Sequence, residues 1–277
     1  MQAINRQSYK PAEVLVVHDG ENRDIVEQIV KSMGLVYIRG RGQGVVDAYN
    51  LAVEMSSGEI IAFTDDDAIP DQRWLEEIAG LYTDGVGAVG GAVKNKDDAQ
   101  PCLVTTKIGK TGEFSGWQIV KDMIEVDHLR GANMSFSRYA ILETGLFDRN
   151  FGGDGYLFES DYCLRVKRKG YRILFNPRAV VFHTESKERL IPRERSPSRR
   201  YHHKCNSTYF TLKHFAFAGN KKIILKMLLK DSARSVKSGI LKFDVVYFCS
   251  FAGIIAGVAN YLKLASIQNG LFYSKVS

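Results

Sequence analysis

Three consecutive carboxylates, Asp65-Asp66-Asp67, follow directly on the apolar, β-branched run Glu59–Thr64. Like charges this close repel one another, and a bound cation offsets the repulsion. Hard divalent ions such as Mg2+ or Mn2+ take oxygen ligands, commonly one or two carboxylates together with substrate phosphates. In open α/β sheets, ligands bind beyond the carboxyl ends of the strands, where this sequence places the triplet. A solvated acidic turn ahead of a helix starting near Pro70 fits the same spacing. Spacing alone leaves the two readings level.

Other residue types extend the first reading. Asp19 ends a second strand pattern, Glu13–His18, at the turn signal Asp19-Gly20. An aspartate at that edge accepts hydrogen bonds from a base or a ribose. Arg39 and Arg41 lie in the glycine- and arginine-rich loop Arg39–Gly44, and the guanidinium fork suits a diphosphate. Taken singly, a turn former and solvated arginines are the simpler accounts. Glu159 and Asp161 open a predicted helix after the glycine-rich loop Phe151–Gly155. A carboxylate there can deprotonate an acceptor hydroxyl, although acids at a helix start also complement the macrodipole, and that account fits Asp161 well. His183 ends an apolar strand, where a lone histidine is usually structural; to ligate a metal it must meet the aspartates through the fold. His202 and His203 sit in a basic run and read as surface residues.

The elements that must position these groups alternate. Strand patterns at Glu13–His18, Leu35–Ile38, Glu59–Thr64 and Gly85–Val93 are separated by helical spacing over Asp24–Met33, Val45–Met55 and the segment carrying Trp74, Leu75 and Ile78. That alternation predicts an α/β fold with a mostly parallel sheet flanked by helices. Asp97–Val126 is polar and carries no clear period. Leu129–Phe136 resumes as a strand, Ser137–Gly145 and Glu159–Lys169 read as helices, and Tyr171–Phe175 and Ala179–Phe182 read as two short strands around Asn176-Pro177. Glu185–Lys204 reads as a basic linker and residues 205–265 as wholly helical. The expected division is a catalytic domain over 1–190 and a helical, basic region over 191–277.

Within that region Lys221–Lys242 reads as a cationic amphipathic helix, with Ile223, Ile224, Met227 and Leu228 near one face. Such helices lie on anionic membrane surfaces with their lysine stems snorkelling, or pack on a domain with their basic side exposed. The apolar run Val245–Ala259 falls short of the roughly 20 residues that span a bilayer, which predicts a buried or interfacial helix.

A net charge of +7 and a pI of about 9.1 invite a nucleic-acid reading. The excess lies after residue 187, however, and nucleic-acid binding would leave the aspartates unexplained, so no nucleic-acid partner is expected. Cys102, Cys163, Cys205 and Cys249 are far apart and form no Cys-x-x-Cys pair. Reduced thiols in a cytoplasmic setting fit them better than disulfides or zinc.

From Gln7 to His183 the chain resembles the family 2 glycosyltransferases, which have the GT-A fold. Matching features occur in order: Arg6-Gln7-Ser8-Tyr9-Lys10-Pro11, Val16-Val17-His18-Asp19-Gly20, Ala48-Tyr49-Asn50, Gly58 to Asp67, Pro70 and Trp74-Leu75. Gly131-Ala132-Asn133-Met134-Ser135, Gly145-Leu146-Phe147-Asp148, Glu159-Ser160-Asp161, Gly170-Tyr171-Arg172 and Pro177 to His183 follow. The resemblance implies that Asp65 and Asp67 hold Mg2+ or Mn2+ against the diphosphate of a nucleotide-sugar donor, with Asp66 beside them. It implies that Asp19 contacts the base, that Glu159 is the catalytic base, that His183 completes the metal site, and that Gly131 to Asn133 line the acceptor side. It further implies an inverting transfer to a glycan or lipid-linked acceptor, with peripheral contact at the inner face of the cell membrane. His18 departs from the family, which commonly has an acidic residue there. The family also opens with a strand upstream of the helix ending near Tyr9, and this chain begins inside that helix.

Overall fold

The computed structural model describes residues 1–95, 103–183, 196–216, 220–242 and 244–273, without side-chain placement for Lys221 and 268–273. Cys102 and most of the expected basic linker lie outside the described residues. The chain divides into two compact units. The first comprises Met1–Ile108, Phe114–Asp148 and Glu159–Lys187, and the second Gly109–Glu113, Arg149–Phe158 and Glu188–Ser277.

The first unit runs through α1 (Gln2–Asn5), β1 (Leu15–His18), α2 (Arg23–Ser32), β2 (Val36–Arg39), α3 (Val45–Met55), β3 (Ile60–Phe63), β4 (Ala68–Pro70), α4 (Trp74–Ala79) and β5 (Val86–Asn95). Short strands follow at β6 (Leu103–Val104), β7 (Lys107–Ile108), β8 (Phe114–Ser115), β9 (Gln118–Ile119) and β10 (Ile124–Glu125). Then come β11 (Met134–Ser137), α5 (Arg138–Thr144), α6 (Phe158–Arg168) and β12 (Arg172–His183). The polar stretch without a period thus contains two small hairpin pairings, β6 with β9 and β7 with β8.

The main sheet has the order β10-β12-β5-β11-β3, with β4 pairing β12. It is mixed and flanked by helices, as the GT-A resemblance implies, with antiparallel pairings outnumbering the parallel one. Only β12–β5 is parallel within it, while β11 lies antiparallel between β5 and β3. After β5 the chain adds β10 and β11, which pair antiparallel, before β12 returns parallel to β5. The parallel pair β1–β2 forms a separate two-stranded sheet. Glu13 fastens the start of β1 to the start of β3, its carboxylate accepting from Ser57 N (2.6 Å), Ser57 Oγ (3.0 Å) and Gly58 N (3.1 Å).

Central β5 explains its own composition. Its run from Val86 to Ala92 is buried on both faces, as a strand covered by helices must be. The two segments expected around Asn176-Pro177 are one strand, β12, with a register shift between Asn176 and Val180. Gly91 makes room for that irregularity: a Cβ there would lie 2.0 Å from Ala179 O. Trp74 and Ile78 of α4 close the core over Val86, Val89, Leu174, Ala179 and Val181.

The second unit is built on α7 (Pro197–Phe215), α8 (Lys221–Lys242) and α9 (Val245–Tyr273). Helix α7 starts inside the expected linker because Ser196 caps it, accepting from Arg199 N, with Pro197 in its first turn. His203 is less free than a surface residue: it bonds Asp154 (3.2 Å) and stacks on Tyr156 at 4.1 Å. Helix α9 is longer than the apolar run predicted. Val245–Ile267 is 23 residues at mean hydropathy 1.7, long and apolar enough to cross a membrane by length and composition. Gly253 and Gly257 seat α9 on α7, where a Cβ would lie 2.3 Å from Tyr201 O and 2.5 Å from Cys205 O.

Candidate metal centre and its surroundings

Strand β3 delivers the aspartate triplet into a tight turn, closed by Ala68 N donating to Asp65 O (3.2 Å). The turn sorts the three carboxylates: Asp65 and Asp67 are half-buried and Asp66 is exposed. The chain then enters β4, which pairs antiparallel with the end of β12 in the register Ala68↔His183, Ile69↔Phe182 and Pro70↔Val181. That register sets His183 directly opposite the residue after Asp67. A slip of one residue would turn its side chain to the other face of the sheet.

The outcome is a compact cluster. His183 Nε2 lies 3.1 Å from Asp67 Oδ1 and 4.0 Å from Asp65 Oδ2. One ligand atom from each of the three residues falls within 4.8 Å of the others. Burial, and next the Asp67 charge, raise the Asp65 pKa, and a hydrogen bond from Tyr49 OH (3.3 Å) opposes them. Two carboxylates and an imidazole form a mixed oxygen and nitrogen donor set, which suits Mn2+ and accommodates Mg2+.

The Asp19 side is arranged differently. Both of its carboxylate oxygens accept backbone hydrogen bonds, from Gly42 N and from Gly44 N (3.0 Å). Asp19 therefore shapes the arginine-bearing loop that sequence reading set beside it. Gly42 and Gly44 have φ of 75° and 92°, the left-handed region where glycine is favoured. Arg41 pairs with Glu54 (2.6 Å) and with buried Asp47 (3.5 Å). An open recess of about 550 Å3 lies alongside, lined by Gly20 to Ile25 and by Arg39.

Two expected roles are corrected by burial. Asn133 is fully buried: its Oδ1 accepts from Trp74 Nε1 (2.8 Å) and its Nδ2 donates to Ala92 O (3.0 Å) and Ala179 O (2.8 Å). It ties α4, β5 and β12 together and lines no acceptor surface, whereas Gly131 sits in the half-exposed turn before it. Asp161 is also fully buried and accepts from Arg165 Nε (2.9 Å), a guanidinium that also caps Thr144 O and Leu146 O. That makes Asp161 a helix anchor and leaves half-buried Glu159 as the catalytic candidate on α6. Sequence reading gave no role to Tyr49 and Asn50. Tyr49 reaches Asp65 only because its ring packs on Phe63 and Phe147, and Asn50 fixes Phe147, which local spacing does not encode.

A mixed sheet flanked by helices, with an Asp-x-Asp turn at the carboxyl end of a strand, defines the GT-A fold class of nucleotide-sugar transferases. A family model described as glycosyl transferase family 2 matches residues 1–139, and the chain belongs to that family. The glucosyl-dolichyl phosphate glucuronosyltransferase of Haloferax volcanii is 28% identical over 202 residues, covering 66% of this chain and 62% of that protein. Glycosyltransferase AglE of the same organism is 36% identical over 186 residues, covering 63% and 58%. The chain thus spans about 60% of the length of these relatives. Among solved structures, the mannosyltransferase PcManGT from Pyrobaculum calidifontis, in complex with GDP-Man and Mn2+, aligns at a TM-score of 0.54 and 16% identity, over 93% of this chain and 81% of that one. GalNAc-T7 with UDP, GalNAc and Mn2+ aligns at 0.53 and 15%, over 79% and 48%. At these identities the likeness speaks for the fold.

Proposed function

We propose that this chain is an inverting glycosyltransferase that moves a sugar from a nucleotide-diphosphate donor to a hydroxyl on a lipid-linked or polysaccharide glycan. The observation that carries the reading is the convergence of Asp65, Asp67 and His183 at the carboxyl end of β3. These three residues would hold Mg2+ or Mn2+. When bound, the ion supplies charge neutralisation for the departing nucleotide diphosphate. Exposed Asp66 faces the donor, and Asp19 and Arg41 fix the loop that borders the nucleotide. Glu159 takes the proton from the acceptor hydroxyl. A single in-line displacement inverts the anomeric carbon. The donor nucleotide and acceptor follow the pattern of relatives named for dolichyl phosphate and of neighbours solved with GDP-Man or UDP.

The second unit supports a peripheral membrane contact, which we assign to the inner face of the cell membrane. Val245, Phe248, Ala252, Ile255, Ala259 and Leu262 are all exposed, at alternating spacings of three and four, on the side of α9 away from Gly253 and Gly257. Exposed Lys222, Lys226 and Lys230 of α8 add positive charge for anionic headgroups.

Turnover of UDP-, GDP- and dTDP-sugars with Mn2+ tests the transferase reading, comparing wild type with Asp67→Ala. Loss of metal-dependent turnover in the variant is expected, and unchanged turnover would remove the assignment. One observation favours a second reading, a donor-free scaffold module of the same fold: both Asp19 oxygens are already engaged. Calorimetry with the same donors separates the two, because a module without a donor site gives no binding heat.

A further inference from the structure

We propose that Tyr49 is a positioning residue for the metal centre, its hydroxyl pinning one oxygen of Asp65 so that the other is presented beside His183 and Asp67. The proposal rests on the metal-site reading above and adds a residue to it. Tyr49 projects from α3 into an aromatic cluster. Its ring lies 5.0 Å from Phe63 and meets Phe147 edge-on at 5.8 Å. Phe147 in turn packs on Phe136 at 6.0 Å and on Tyr162 of α6 at 4.2 Å. The neighbouring Asn50 fixes Phe147 through a pair of backbone bonds, Phe147 N to Asn50 Oδ1 (2.8 Å) and Asn50 Nδ2 to Phe147 O (2.9 Å). Rings and clamp together hold the phenol ring in place.

The Tyr49 hydroxyl meets Asp65. Tyr49 OH donates to Asp65 Oδ1 at 3.3 Å, while Asp65 Oδ2 faces His183 Nε2 at 4.0 Å. The two oxygens are thus divided, one toward the phenol and one toward the cluster. A half-buried aspartate beside a second carboxylate otherwise relieves repulsion by turning away. A phenol is a neutral donor across the physiological pH range, so it fixes the side chain without removing its charge. Orientation of a ligand by its outer partner is a recurrent device in metal sites, and loss of the partner costs about 10- to 100-fold in metal affinity. The same phenol also lies in the field of the candidate base, since the Glu159 charge acts on it.

The test is a titration with Mn2+ alone, read by the electron paramagnetic resonance signal of the free ion, on wild type, Tyr49→Phe and Asp67→Ala. Phenylalanine keeps the ring in its cluster and removes only the hydroxyl. The expected results are a Mn2+ affinity lowered by about tenfold or more in Tyr49→Phe, little change in its melting temperature in EDTA, and no binding in Asp67→Ala. An affinity within about twofold of wild type in Tyr49→Phe, with binding lost in Asp67→Ala, overturns the role of Tyr49 and keeps the metal site. Binding retained in both variants overturns the metal-site reading itself. A matching fall in melting temperature in EDTA makes Tyr49 a packing residue and likewise overturns the proposal.

Discussion

Two parts of the first unit carry the residues expected to hold a nucleotide sugar, and they are built to different standards. The corner of β3, β4 and β12 is continuous with the main sheet and backed by α4. Its acidic side chains converge with His183. The β1–β2 pair is a separate sheet whose β1 residues are all half-buried, and its aspartate already has both oxygens occupied by the backbone. At the corner Asp65 takes a side-chain hydrogen bond from Tyr49 and faces His183 with its other oxygen. Where the scaffold is shallow, the carboxylate holds the loop in shape. The difference separates the proposed ligand-binding role from a loop-forming one for residues of the same type.

The sharpest way to break the comparison is Asp67→Ala. It removes one of the three proposed ligand groups, so Mn2+-dependent turnover should fall by more than about 100-fold with little change in unfolding by urea. A variant that loses stability instead would place Asp67 among the structural carboxylates.

Asn133→Ala probes the depth of the corner. It leaves Trp74 Nε1 and the carbonyls of Ala92 and Ala179 without their buried partner. Unpaired buried polar groups cost about 1–3 kcal/mol each; with partial relaxation a loss of about 3 kcal/mol is expected in denaturant unfolding. Because Ala179 sits at the register shift that sets His183 opposite Ala68, Mn2+ affinity should weaken as well. A loss below about 0.5 kcal/mol, the range of ordinary surface substitutions, would show that the corner does not depend on this tie.

A third measurement uses pH at the far edge of the same unit. His128 accepts or donates a 2.7 Å bond with Thr105, packs on Phe114 at 4.5 Å, and has its pKa lowered to about 4, first by burial and then by Arg130. A histidine pKa that is lower in the folded chain than in the unfolded chain favours unfolding once it protonates. Stability is therefore full above about pH 6.5 and falls as pH drops from about 6.5 toward 4. The loss is about 2 kcal/mol after allowance for partial exposure. His128→Asn should flatten that part of the profile relative to wild type. Identical slopes would mean that the ring is solvated.

How much of this was legible in the sequence follows from the range of each interaction. Elements β1, α3, β3 and β5 could be read because apolar period and turn residues are local. The strand at β11 could be read too, but its antiparallel pairing could not, since its neighbours are chosen by the sheet. Asp65 and Asp67 stood out as carboxylates after a strand. Whether His183 joined them depended on a register shift at Asn176–Val180 and on a β4 of three residues. Asn133 stands out through the family resemblance and Asp161 as a helix-opening acid, and only their burial shows that they tie elements together. Tyr49 went unread because a tyrosine within a helix usually serves the core, and its hydroxyl acquires a partner only when α3 docks.

The mildest test returns to the shallow side. Asp19→Ala removes the acceptor of two backbone N–H groups in a loop that is partly open to water. Water replaces much of what is lost, so the cost in global stability should be about 1 kcal/mol. Function should register the change more strongly. Without Asp19 the left-handed glycines at 42 and 44 lose the acceptor that orients them, and Arg41 moves on a loosened hinge. If Asp19 only shapes this loop, the donor KM rises about tenfold while kcat is kept, and Asp19→Asn, whose amide oxygen can accept one of the two bonds, recovers part of it. If the carboxylate instead contacts the nucleotide directly, Asp19→Asn should be as impaired as Asp19→Ala, and preference among UDP, GDP and dTDP donors should change. That second outcome would place ligand recognition on the shallow sheet as well, and the contrast between the two regions would be one of stability alone.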